Sequence, residues 1–138
     1  MSVVYGPGAE QNVDPTLINA VEEAAHELGV TLYVSSTTGG THSKYSAHWL
    51  DEAKGWGHAL DVSRIDGHKM ANLTPARGGK VGVMISRHIP AHRLRELITP
   101  QFGLRFHRPV WSKETETRLV TAHRDHVHVS IVPIGDAT

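Results

Sequence analysis

Apolar positions along this chain change period several times, and each change marks an element. After a Gly/Pro-bearing arm that runs to Asn12, Leu17, Ile18, Val21, Ala24, Ala25 and Leu28 recur at helical spacing. Asp14 reads as the N-cap of this helix, Pro15 as its first helical residue and Gly29 as its stop. His26 falls off the stripe and faces solvent. Val30 to Ser36 alternates and is rich in β-formers, which predicts a first strand packed under the helix. Thr37 to Gly57 is polar, glycine-bearing and without period, too long for a passive turn in a compact domain. Leu60 and Val62 alternate with Ala59, Asp61 and Ser63, a strand with Asp61 opposite its apolar face. Asp66-Gly67 marks a turn, and Leu73 to Gly79 reads as a loop. In Lys80 to Ile89 the alternation of Val81, Val83 and Ile85 favours a strand over a buried helical segment. Pro90 to Ile98 reads as a short helix with Leu94, Leu97 and Ile98 inward, stopped by Pro100. Leu104 to Val110 and Arg118 to Thr121 are further strands. The last apolar run, Val127, Val129 and Ile131, alternates with His126, His128 and Ser130. The order is α+β: one long helix, then antiparallel strands with a second short helix.

Length and charge narrow the class. At 138 residues the chain forms one domain, residues 1–138, large enough to bury roughly two thirds of its unfolded surface. Fourteen basic and fourteen acidic residues cancel, so the chain lacks the basic excess that nucleic acid or an anionic membrane would select. Eleven histidines make the charge sensitive to pH instead. No cysteine is present, which excludes a thiolate-bound structural zinc and any disulfide framework. The first residues carry neither a basic segment nor a long apolar one, and no run reaches membrane-spanning length. The expectation is synthesis in the cytoplasm without an evident signal peptide.

The chemistry concentrates in two stretches. In His123-Arg124-Asp125-His126-Val127-His128-Val129-Ser130, strand alternation sets His126, His128 and Ser130 on one face and the β-branched residues on the other. Two imidazoles about 6–7 Å apart on a rigid strand suit a metal ligand beside an acid/base. In Ser46-Ala47-His48 followed by Gly57-His58-Ala59-Leu60-Asp61, the carboxylate faces His128 if the two strands share a sheet. Two nitrogen donors and one carboxylate, with a position left for water, is the composition of a catalytic zinc site. His68, His88, His92 and His107 have no partner pattern and read as structural or surface residues.

The pattern S-x-H, then G-x-A-x-D, then H-x-x-H-x-H resembles the zinc peptidases of the D-Ala-D-Ala carboxypeptidase, LAS and M15 type, which share a fold with the hedgehog signalling domain. Ser46/His48, Gly57/Ala59/Asp61 and His123/His126/His128 carry the resemblance and span most of the chain. It implies a hedgehog/DD-peptidase-like antiparallel sheet with helices packed on one side. It implies one zinc per chain held by His48, Asp61 and His128, with His126 and His123 beside the metal water and Ser46 on the substrate. The family separates its first histidine from the aspartate by six residues; here twelve intervene, Trp49 to Leu60. Reading Trp49 to Trp56 as carrying a loop insertion keeps His48 as the ligand, with His58 and His42 as the alternatives.

The implied substrate is the peptide stem or cross-bridge of bacterial peptidoglycan, cut by an endopeptidase of the phage endolysin kind or by a DD-carboxypeptidase acting at the cell wall. His126 is the first choice for the general base, because a neighbouring cation keeps it neutral. His123 is the second, and Asp125 ranks third because regular alternation turns it to the other strand face. Lys44 and Ser46, in the long polar loop, would read the substrate's carboxylate or amide. A non-catalytic, zinc-binding hedgehog-like module is the alternative, and the presence of both His123 and His126 argues against it. A His-metal nuclease needs a helix after His128, and a two-histidine phosphoesterase needs a second H-x-S/T strand. Neither is present.

Overall fold

The computed structural model describes residues 2–6, 13–36, 57–100, 104–107, 110–113 and 125–132. Helix α1 spans Pro15–Leu28, begins where the Asp14 side chain accepts from the Thr16 N–H, and ends at Gly29 in the left-handed region. Leu17, Ala20, Val21, Ala24 and Ala25 form its buried stripe, while His26 is exposed. Strand β1 (Ser2–Tyr5) precedes the helix and β2 (Thr31–Ser36) follows it. The two pair in parallel, Ser2 with Thr31 through Tyr5 with Val34. A helix joining two neighbouring strands is the crossover that makes them parallel. The opening arm therefore contains a strand, with Val3 and Tyr5 packed against the core, and the sheet is mixed rather than wholly antiparallel.

The remaining strands are β3 (Ala59–Ile65), β4 (His68–Lys69), β5 (Leu94–Ile98), β6 (Leu104–His107), β7 (Val110–Lys113) and β8 (Val127–Ile131). Asp66 and Gly67, both at positive φ, close the β3–β4 hairpin, as a two-residue turn between twisted strands requires. Among the described residues the sheet runs β1-β2-β3-β8-β5-β6-β7, with β4 on the end of β3, and every pairing after β1–β2 is antiparallel. The last strand thus enters the middle of the sheet. The architecture is α+β, a single small domain.

Residues 75–87 depart from the sequence reading. Neither the loop over Leu73 to Gly79 nor a strand over Lys80 to Ile89 forms; helix α2 spans Pro75–Arg87. Pro75 opens it, and Val81 and Ile85, one turn apart, are buried, whereas Val83 is only half-buried. Its glycines hid the helix, yet two of them are packing surfaces. A Cβ on Gly82 would lie 2.7 Å from Thr99 Cγ2 and 3.2 Å from Leu97 Cδ1, and one on Gly78 would lie 2.7 Å from Pro100 Cδ. Gly79 has nothing within 4 Å of that position. Gly82→Ala is therefore expected to destabilise by about 1–3 kcal/mol despite the better helix former. Gly79→Ala should stabilise by about 0.5–1 kcal/mol. Thermal melts of the two variants should move in opposite directions, and a shared shift would mean that α2 does not press on the end of β5.

The short helix over Pro90 to Ile98 is also replaced. Ala91–Arg93 makes one 3-10 turn and Leu94–Ile98 is strand β5, because the ladders with β6 and β8 take up its backbone groups. Arg93 is buried. It donates to Asp14 Oδ2 at 3.0 Å, Thr16 Oγ1 at 2.9 Å and the Val132 carbonyl, and so ties the start of α1 to the end of β8. Burial would raise the Asp14 carboxyl, but the Thr16 N–H and the Arg93 guanidinium hold it below the usual carboxylate range. The Arg118 to Thr121 strand lies outside the described residues.

Leu17, Val21, Leu32, Val34, Leu60, Val62, Ile85, Leu97, Val127, Val129 and Ile131 belong to one core cluster under α1 and α2. Alternation along β3 and β8 leaves Asp61 and His128 on the sheet face turned away from that core. Among the described residues no helix is long and apolar enough to cross a membrane.

Candidate functional site

Strands β3 and β8 pair in a register that sets Leu60 against Val129 and Val62 against Val127 on the core side. The same register sets Asp61 against His128. Burial of four aliphatic side chains fixes this phase, since a slip of one residue would turn all of them to the opposite face. His128 Nδ1 lies 2.9 Å from Asp61 Oδ1. On the other side of the ring, Nε2 lies 3.1 Å from Glu96 Oε1, on β5. A carboxylate oxygen accepts, so both ring nitrogens donate and the imidazole sits between two anions. Burial alone would push its pKa down, but hydrogen bonds to Asp61 and Glu96, with the charge of both carboxylates, raise it to about 9. The cluster as it stands holds a proton where it could hold another cation.

His126 lies just before β8. Its Nδ1 donates to Asp125 Oδ1 at 2.7 Å, and its Nε2 lies 3.9 Å from Asp61 Oδ1. The carboxylate on Nδ1 fixes the ring with Nε2 toward the Asp61–His128 pair, the arrangement of a base and its orienting partner. Asp125 was expected on the other face by regular alternation. The strand begins only at Val127, however, and the turn at Asp125 brings the carboxylate to the His126 ring. Asp125 also borders a cleft of about 360 Å³ lined by Ser63, Arg64, Lys69 and Ala71, so two cationic side chains share that cleft with the carboxylate that holds His126.

Of the residues named from sequence, the structure brings together Asp61, His126 and His128. His48, His123, Ser46 and Lys44, together with His42, lie outside the described residues. His58 is buried, and strand parity puts it with Leu60 rather than with Asp61. Glu96 was missed, as were Arg64 and Lys69. Read as a helix, the segment around Glu96 gave no reason to place its carboxylate at His128, and only the pairing of β5 with β8 does so.

The donor chemistry fits a zinc ion. Asp61 and His128 offer the oxygen and nitrogen donor types that zinc takes, side by side with Oδ1 2.9 Å from Nδ1. Among the described residues no group of three or more His, Asp or Glu donors is gathered for a metal, so the fit rests on the Asp61–His128 pair. Comparison with protein-family models, with curated proteins and with solved structures finds no match to this chain.

Proposed function

We propose that the protein is a zinc-dependent peptidase that hydrolyses peptide bonds in the stem or cross-bridge of bacterial peptidoglycan, on a hedgehog/DD-peptidase-like fold. The observation that carries this reading is the juxtaposition of Asp61 and His128 across two strands, with an Asp125-oriented His126 beside them. Asp61 and His128 would hold the metal together with His48, one ion per chain. Bound zinc supplies a water whose pKa falls from about 15.7 towards about 7 and a charge that polarises the peptide carbonyl.

The chain's own residues do the rest. With Nδ1 committed to Asp125, His126 presents the Nε2 lone pair to the site, where it can accept the proton of the attacking water and return it to the leaving amine. His123, three residues earlier, shares that proton or binds the tetrahedral intermediate. Arg64 and Lys69 give the neighbouring cleft a positive wall that a carboxylate-bearing peptide can meet, adding to the substrate roles of Ser46 and Lys44. A wall peptide places the site of action at the cell wall, as for a phage-type lysin.

The zinc-loaded protein should release new amino groups, and no reducing sugar, from purified peptidoglycan. Reducing ends would mean glycan cleavage. No release from any wall chemotype by zinc-loaded protein would leave the non-catalytic, hedgehog-like module as the better reading.

A further inference from the structure

Glu96 reaches His128 through an irregularity in β5. Leu94 pairs with Ile131, but Glu96 pairs with Ser130, so two steps along β5 match one along β8. That is a bulge, with Arg95 as the extra residue. In an unbroken ladder Arg95 would oppose Ser130, and Glu96 would oppose Val129, whose side of the sheet is the core. The bulge moves Glu96 to the face of Ser130 and His128 while Leu94 and Leu97 both stay buried. A carboxylate is thereby kept out of the core and brought to the His128 ring. Its Oε1 is 3.1 Å from His128 Nε2, while the opposite ring nitrogen is 2.9 Å from Asp61 Oδ1.

We propose that Glu96 is the positioning residue of this site: by accepting from His128 Nε2 it fixes the ring so that Nδ1, beside Asp61, is the metal-binding nitrogen. This rests on the zinc reading above and adds to it which atom of His128 binds and what aims it. Histidine ligands are commonly oriented by a carboxylate on the far nitrogen, which sets the tautomer and strengthens the donor. Glu96 touches no reacting atom in this arrangement. It acts through His128.

Zinc affinity measured against a competing chelator, on the full-length protein, tests the assignment without reference to turnover. Measured at alkaline pH, where no proton competes for the His128 ring in either protein, Glu96→Ala should weaken zinc binding by about 10- to 100-fold. Glu96→Gln keeps an oxygen acceptor at the same reach, so it should fold like the wild type and lose less affinity than the alanine variant. In nitrogen NMR of the zinc-loaded wild type, His128 should carry its proton on Nε2 and the metal on Nδ1. Metal on Nε2, or unchanged affinity in Glu96→Ala, would overturn the role of Glu96 while leaving the zinc reading intact. A wild type that takes up no zinc at all would overturn both.

Discussion

Alanine at Asp61 or His128 should strip the metal from the protein and abolish hydrolysis, whereas alanine at His126 should leave the metal in place and still remove nearly all turnover. Asp61 and His128 face each other at 2.9 Å from two strands whose register is fixed by buried aliphatic residues, so each removal takes away one half of the donor pair. His126 lies 3.9 Å from the Asp61 carboxylate and is tied to Asp125 instead. Loss of a general base costs about 10²–10⁴-fold in rate and should not touch occupancy. Metal content by elemental analysis and rate on a wall peptide, measured on the same preparations, separate the two roles. If His126→Ala lost zinc as completely as His128→Ala, His126 would be a ligand, and the base would have to be sought at His123. Asp125→Asn is the sharper control. It keeps the contact to His126 but removes the charge, so a drop in rate at full zinc content is the expected result.

The pair at the centre of the site was legible because strand alternation is local. Val127, Val129 and Ile131 turn His128 one way, and Leu60 and Val62 turn Asp61 the same way, so a shared sheet was the only further condition. Helix α1 was legible for a similar reason, since cap, first-turn proline, stripe and terminal glycine all agreed. What could not be read depends on distant partners. Gly78 and Gly82 look like loop residues until the end of β5 is seen to press against them, and Leu94 to Ile98 fits a helix as well as a strand until β8 arrives beside it. Glu96 was hidden twice over, by that ambiguity and by a bulge that reverses the parity of its side chain. The strand at Ser2–Tyr5 forms only because α1 returns the chain alongside it.

Metal uptake should depend on pH with the slope of a single displaced proton, and the metal-free protein should depend on pH in the opposite sense. His128 has its pKa raised to about 9 in the folded, metal-free chain, against an ordinary value near 6.5 that the unfolded chain would show. A folded pKa above the unfolded one means that the charged ring stabilises the fold. That contribution is fully present below about pH 6.5 and is lost as pH rises to about 9; it is on the order of 3 kcal/mol for this single group. Metal-free protein should therefore melt at a lower temperature at pH 9 than at pH 6.5. A metal at Nδ1 must displace the proton held there, so apparent zinc affinity should rise about tenfold per pH unit from pH 7 towards 9 and level off beyond it. Chelator competition at several pH values, corrected for the chelator's own protonation, gives that slope directly. Glu96→Gln removes one of the two carboxylates that hold the proton, so its plateau should begin at a lower pH. A flat profile across this range in the wild type would mean that the metal does not bind through the nitrogen that faces Asp61.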